Sequence, residues 1–239
     1  MLKEFEGSYF RRIAAARAEG LTCGIAVPIF AGDFLNAVMV VFCGDDAAHA
    51  GAIELWHNDP HESHDMTLVD GCYGSTGDTF EFISRSVSFR RGTGLPGMAW
   101  QQQAPVFLED LGRGSGFLRA DSAVKVGINR GFAMPCSTPG DEHYVMAFLS
   151  ALATPIAQRV EIWLPDATGA RLRRSTGFSE AEGALGPLDD TIARGEGPIG
   201  RAFESGVPAV VEPSAGGLAL AAIPVVQQGR LAAVLALGF

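Results

Sequence analysis

The sequence predicts an α+β protein built from two copies of one unit, each a mainly antiparallel sheet with short helices. Two self-matches lead to this prediction. Residues 10–56 align without a gap on residues 117–163, at a constant spacing of 107. A glycine-rich stretch at 91–109 returns at 194–212, with its Arg, Gly, Ala, Pro and Glu in register. The repeated unit is therefore near 105 residues long.

One portion of the unit occurs three times. An Ala-x-Pro triplet stands at 26–28, at 133–135 and at 222–224, each time inside an apolar run. The chain therefore holds two full copies and a third copy of this portion.

The elements of one unit follow from local pattern. Residues 117–127 predict a short helix with Asp121 or Ser122 as its N-cap. The apolar runs "GFAMPCS" and "YVMAFLSA" flank "TPGDEH" and predict a hairpin. The runs "AQRVEIWLP" and "GARLRRSTGF" predict two more strands, which pair through the turn "DATG".

The second half of the unit contains the glycine-rich stretch. "TIARGEG" predicts a short strand, "PIGRAFESG" a short helix that ends at Gly206, and "VPAVVE" a further strand. Each unit should then have a sheet of five to six strands.

Composition narrows the classes of partner. The 239 residues carry a net charge of −9, which disfavours nucleic acid and anionic membranes as partners. The longest apolar runs are too short to cross a bilayer as helices. The N-terminus lacks the apolar stretch of a signal peptide, so a cytoplasmic location is expected. The four cysteines form no CxxC pair and are expected to be free thiols.

Residues 89–136 resemble the second half of a GAF domain. The resemblance is carried by Arg-Gly-x-Gly-x-x-Gly-x-Ala-Trp, a following Pro-Val strand, Phe-x-Arg before a helix, and Ala-x-Pro in a strand. It implies two GAF-like (profilin/PAS-like) domains, each with a central antiparallel sheet and a small-molecule pocket on one face. The "NKFDE" signature of cyclic-nucleotide GAF domains is missing.

Two divisions of the chain into domains are open. The first is circularly permuted, with domains 1–118 and 119–239, the second carrying an extra C-terminal hairpin at 217–239. It is favoured because no signalling helix fits before the strands near 52 and 158. The alternative keeps the usual order, with domains 48–151 and 154–239 and residues 1–46 as surplus.

Three strand-like runs are apolar at nearly every position: "AVMVVFC", "VMAFLSALA" and "LAAVLALGF". Such strands are typically covered on both faces. The second face should therefore meet another sheet, the other domain or a partner subunit, and a homodimer is expected.

The glycine-rich bend of residues 90–100 is interpreted as architecture. A phosphate loop would need a βαβ setting, and Walker A would need Gly-Lys-Ser/Thr, which is absent. Glu54 and Glu161 alternate with apolar neighbours and are expected to be solvated or between domains. His57, His61 and His64 lie in a turn-rich loop and are interpreted as solvated, with a metal site as the alternative.

Cys72 is the one candidate for a reactive thiol. Arg119 and Arg12 stand at the same repeat position, where an arginine could bind an acidic ligand or brace the fold. No catalytic and no metal site is predicted.

The resemblance leads to a non-catalytic small-ligand sensor with a homodimer and a downstream signalling protein as expected partners. The ligand and any cofactor are not specified by the sequence. A thiol-based reductase resembling the free-methionine sulfoxide reductases and a pure dimerisation scaffold are the alternatives. The predicted ligand-binding residues are Trp56, Phe89, Trp100, Phe117, Arg119 and Met134.

Overall fold

The computed structural model describes residues 2–3, 10–44, 50–74, 76, 78–112, 116–186, 191–213 and 217–239. In this part of the chain three antiparallel sheets and five short helices form. The predicted class, α+β with mainly antiparallel sheets, is confirmed. None of the described helices is long and apolar enough to span a membrane.

The first sheet, called here the N-terminal sheet, has the strand order β1-β2-β3. One short helix precedes its main hairpin. The elements are β1 (Leu2–Lys3), α1 (Ile13–Ala18), β2 (Leu21–Ala31) and β3 (Phe34–Gly44).

The first unit comprises residues 51–150 and has the strand order β6-β5-β4-β9-β8-β7. Its last helix begins at Ala120 with Arg119 as N-cap, two or three residues before the predicted cap. The elements are β4 (Gly51–Asn58), β5 (Asp65–Cys72), α2 (Asp78–Ser86), β6 (Ser88–Arg90), α3 (Gly94–Gln102), β7 (Val106–Leu108), α4 (Ala120–Lys125), β8 (Arg130–Cys136) and β9 (His143–Ser150).

The second unit comprises residues 159–238 and repeats this order, with β13 and β12 both paired to β11. That double pairing gives seven described strands, one more than predicted. The elements are β10 (Arg159–Pro165), β11 (Arg171–Ser179), β12 (Gly183–Ala184), β13 (Thr191–Ala193), α5 (Gly197–Ser205), β14 (Ala209–Val211), β15 (Leu220–Gln227) and β16 (Arg230–Gly238).

The three Ala-x-Pro strands occupy equivalent places. Pro28, Pro135 and Pro224 each lie opposite a valine of the next strand. In each sheet the short outer strand ends before the proline is reached. A proline has no N–H to donate to an outer neighbour, so it is tolerated there. The N-terminal sheet therefore corresponds to the closing part of a unit: outer strand, helix and hairpin.

The strand pairing differs from the one that the permuted boundaries 1–118 and 119–239 require. Strand β4 pairs with β9 along its whole length, and the hairpin β15–β16 pairs with β10. The hairpin β2–β3 lies in its own sheet with β1. In each unit, the first strand pairs with the hairpin that follows it in sequence: β4 pairs with β9, and β10 pairs with β16. The hairpin that precedes β4 in sequence, β2–β3, does not join that sheet.

The hairpins of the two units and the N-terminal sheet share one apolar core. Strands β9 and β16 are buried at nearly every position, as predicted for strands covered on both faces. Their second faces meet β2 in a cluster that includes Ile25, Val27, Phe148 and Leu235. The three sheets therefore pack against one another around this single apolar cluster.

Strand β3 departs from that prediction. Its residues alternate between half-buried and exposed, and Val38, Val40 and Phe42 are 50%, 50% and 41% exposed. Strand β3 is also an edge strand, because the described sheet ends there. One face of the N-terminal sheet is therefore only partly covered by the described residues, through α1 and Phe10.

The glycine-rich bend is used for close packing in both units. A Cβ on Gly97 would lie 2.2 Å from the carbonyl oxygen of Arg90, and one on Gly200 would lie 2.3 Å from that of Ala193. The Gly92 amide donates to the Gly97 carbonyl at 2.7 Å. Because backbone amides of the bend donate to carbonyls of the bend itself, they are not available to bind an anion, and the geometry is that of a turn.

We expect Gly97→Ala and Gly200→Ala to lower the free energy of unfolding by about 1–3 kcal/mol each, because the new methyl overlaps a carbonyl oxygen. Helix propensity alone would favour alanine by about 1 kcal/mol. Gly186→Ala is the control, since its Cβ meets nothing within 4 Å. Urea denaturation measures all three; a stabilised Gly97→Ala protein would contradict the close approach.

Candidate functional site

A buried ion pair lies at the centre of the first unit. Glu54 and Trp56 are two residues apart on β4 and therefore share a face. The Arg119 Nη2 donates to Glu54 Oε2 at 2.8 Å, and the indole Nε1 of Trp56 donates to the same oxygen at 3.0 Å. The Glu54 side chain is fully buried, so the predicted solvated or inter-domain position for Glu54 is wrong.

Two hydroxyl groups complete the polar contacts of this ion pair. Tyr73 Oη donates to Glu54 Oε1 at 3.0 Å, and Arg119 donates to the Ser84 hydroxyl. Burial, and then the charge of Glu54, raises the pKa of Tyr73 well above its ordinary value. Tyr73 therefore remains a neutral donor across the physiological pH range.

The guanidinium of Arg119 is enclosed by aromatic rings. Its carbon lies 5.0–5.6 Å from the ring centroids of Trp56, Phe80, Phe89 and Phe117. Rings at this distance attract a cation through their quadrupoles. The place where the resemblance predicts a ligand is thus filled by the protein's own Arg119.

The structure brings five of the six predicted residues to one face of the first sheet. Trp56, Phe89, Trp100 and Phe117 belong to one buried cluster, and Arg119 lies among their rings. Met134 lies instead in the core shared by the three sheets. Successive residues of a strand point to opposite faces, and Ala133, not Met134, faces the aromatic cluster.

Two buried donors of the cluster lack a hydrogen-bond partner in the described part of the chain. They are Nε of Arg119 and Nε1 of Trp100. Buried donors are normally paired. The polar groups are therefore arranged mainly around Glu54, whose two oxygens accept hydrogen bonds from Arg119, Trp56 and Tyr73.

The second unit builds the same ion pair with different arginines. The Trp163 indole donates to Glu161 Oε2 at 2.9 Å, as Trp56 does to Glu54. Arg174 on β11 and Arg159 on β10 donate to Glu161 Oε1 at 2.9 and 2.7 Å. The connection between β14 and β15 is short, and no described helix lies there. The cations that pair with Glu161 are accordingly supplied by strands β10 and β11. Glu161 is buried, against the predicted solvated position.

The N-terminal sheet has the arginine without the carboxylate. Arg12 is the N-cap of α1, as Arg119 is of α4, but Arg12 is exposed and has no ion pair with a described residue. It borders an apolar groove of about 660 Å³. The groove is lined by Phe10, Arg12, Ala15, Ala16, Glu19, Leu21, Gly24, Ala26, Val40 and Phe42.

The histidine-rich loop does not converge on a metal geometry in the described residues. His57 lies on β4 and is half-buried, so its predicted place in the loop is wrong. Its Nε2 is 3.1 Å from Glu142 and its ring lies against that of Tyr144. Within the described ranges no group of three or more His, Cys, Asp or Glu side chains could hold a metal ion.

No family model matches the chain. No curated protein matches it either. Some solved structures are similar to parts of the chain. One is a Staphylococcus aureus NreA protein mutated in its nitrate binding site, at 14% identity and a TM-score of 0.35. The similar region covers 45% of this chain and 78% of that one. Another is the hypothetical S. aureus protein SA1058, also at 14% and 0.35, covering 46% and 86%. These distant likenesses carry no argument about activity.

We expect Arg119→Met to lower the free energy of unfolding by about 3–5 kcal/mol, because it leaves the Glu54 carboxylate buried without a cation. The double variant with Glu54→Leu should recover most of this loss. Arg85→Met is the control: it removes an exposed pair with Glu81 and should cost at most about 1 kcal/mol. Equal losses for Arg119→Met and Arg85→Met in urea denaturation would refute the assigned role.

Proposed function

We propose that the chain is a non-catalytic, GAF-like ligand-binding module with its ligand site in the groove of the N-terminal sheet. The ligand we propose is a small apolar molecule with an anionic head. In this proposal residues 48–151 and 154–239 form two GAF-like domains, and residues 1–46 carry the site. A cytoplasmic location and a downstream signalling partner remain predictions from the sequence.

The shape of the groove supports the proposal. Small-molecule sites are typically concave, about 300–1,000 Å³ in volume, mostly apolar, and equipped with a few polar groups. The groove is about 660 Å³ and is lined mainly by Phe, Leu, Val and Ala side chains. Its charged lining residues are Arg12 and Glu19.

A comparison of the arginines in the three sheets supports the proposed chemistry of the ligand. In the first unit Arg119 is neutralised by Glu54, and in the second Arg174 by Glu161. Arg12 occupies the corresponding position beside an apolar face and has no ion pair with a described carboxylate. A ligand carboxylate at Arg12 would stand where Glu54 stands in the first unit. The observation that carries the proposal is that Arg12, unlike Arg119, forms no ion pair with a carboxylate in the part of the chain that the structure describes.

Calorimetric titration with decanoate, and with neutral decan-1-ol, tests the site. We expect Arg12→Gln to weaken decanoate binding about tenfold, because a charge-assisted hydrogen bond is lost, and to leave decan-1-ol unaffected. Arg11→Gln is the matched control, as Arg11 is exposed and does not line the groove. The proposal fails if decanoate does not bind, or if both variants weaken it equally.

A second candidate function, assembly of two copies, is favoured by β3. This edge strand is eleven residues long and contains no charged residue. Natural edge strands are usually protected by charges, prolines or bulges. Identical strands pair antiparallel about a two-fold axis. The row Val38, Val40 and Phe42 would then be covered by its own copy.

For this second candidate we expect a concentration-dependent dimer in sedimentation equilibrium that Val40→Lys shifts to monomer, because a lysine on the shared face is desolvated. Val69→Lys is the matched control, since Val69 on β5 is equally exposed, at 50%. A monomeric wild-type protein at all concentrations excludes assembly through β3. A dimer that survives Val40→Lys places the interface elsewhere.

A further inference from the structure

Three cysteines from three strands lie close together where the N-terminal sheet meets the first unit. Cys23 on β2 and Cys43 on β3 are direct partners across the hairpin. Cys43 and Cys72, the last residue of β5, line the same cavity of about 310 Å³. The sequence spacing does not show this cluster, because the strands come from distant parts of the chain.

The strand register of Cys23 and Cys43 is compatible with a disulfide. Directly opposed residues of an antiparallel pair have Cα atoms about 4.5–5.5 Å apart and side chains on the same face. Disulfides span Cα separations of about 4.4–6.8 Å. The register therefore brings the two thiols within reach of a disulfide, next to an irregularity of the ladder between Leu21 and Cys23. All four cysteines are free thiols in the structure.

The environments of the thiols differ in access and acidity. The Cys23 thiol donates a hydrogen bond to Cys43, which lowers the pKa of Cys43, although burial and the nearby Cys72 oppose the shift. Cys43 is half-buried beside the cavity, whereas Cys23 is buried. Burial raises the pKa of Cys136 to about 12, so Cys136 stays protonated. The thiolate is the reactive form.

We propose that Cys43 is a hydroperoxide-reactive thiol and that Cys23 converts its oxidised form into a disulfide. This site lies in a different cavity from the ligand groove, with only Phe42 lining both, and it does not depend on the proposed ligand. The cavity beside Cys43 and Cys72 admits the peroxide, while Cys23 lies behind Cys43 in the hairpin. The chemistry is reversible, because a thiol reductant regenerates both cysteines.

The proposed steps balance with hydrogen peroxide as oxidant. The Cys43 thiolate attacks one peroxide oxygen, the O–O bond breaks, and the leaving hydroxide takes up a proton as water. The Cys43 sulfur, oxidised by two electrons, is now a sulfenic acid. The Cys23 sulfur then attacks it, the S–O bond breaks, and the hydroxide leaves with the Cys23 proton as a second water. Two thiols and one peroxide thus yield one disulfide and two waters.

The test treats the reduced full chain with hydrogen peroxide, with or without dimedone, and maps the cysteines by mass spectrometry. We expect a Cys23–Cys43 disulfide that dithiothreitol reverses. Cys23→Ser should leave a Cys43 sulfenic acid that dimedone traps, and Cys43→Ser should abolish both products. Cys72→Ser is the control and should retain the disulfide. A Cys43–Cys72 disulfide, or dimedone on Cys72 or Cys136 first, would overturn the proposal.

A measurement on the unaltered chain tests the proposal even if one of these variants fails to fold. In native buffer at neutral pH, iodoacetamide should label Cys43 at least about tenfold faster than Cys136, because a larger fraction is thiolate. The pH midpoint of Cys43 labelling should fall below about 8.5, the ordinary value of cysteine. Equal labelling rates for Cys43 and Cys136 would overturn the assignment of Cys43 as the reactive thiol.

Discussion

The ion pair between Glu54 and Arg119 is the interaction around which the first unit is organised. Moving a carboxylate out of water costs several kcal/mol, which is offset only when a cation and further donors surround it. Arg119, Trp56 and Tyr73 supply these contacts from the segment before α4, from β4 and from the residue after β5. The same contacts fill the face of the sheet on which the sequence predicts a small-molecule pocket.

The second unit shows that the buried carboxylate matters more than the origin of its cation. Glu161 and Trp163 repeat the geometry of Glu54 and Trp56, yet the arginine comes from β11. A carboxylate in an apolar core must be paired with a cation, and in the second unit the guanidinium of Arg174 forms this pair. The N-terminal sheet presents the converse case, in which Arg12 is present and no described strand brings a carboxylate.

The unusual features of the protein are concentrated in the N-terminal sheet for one reason. Among the described residues, this sheet has counterparts of β7, α4, β8 and β9 but no counterpart of β4, which pairs with β9 in the first unit. Its inner face is buried in the common core through Ile25 and Val27. Its outer face and the edge of β3 therefore remain accessible, and the ends of β2 and β3 place Cys23 and Cys43 beside the first unit.

The sequence by itself determined the repeat, the α+β class, the hairpins and the structural role of the glycine-rich bend. These depend on local periodicity and on spacings such as that between Gly97 and Gly200. Only the tertiary structure decided that Glu54 is buried, that Met134 faces away from the aromatic cluster, and that β3 stays half exposed. The physical reason is that alternation shows which residues share a face of a strand. Which face is covered, and by what, depends on elements far away in the chain.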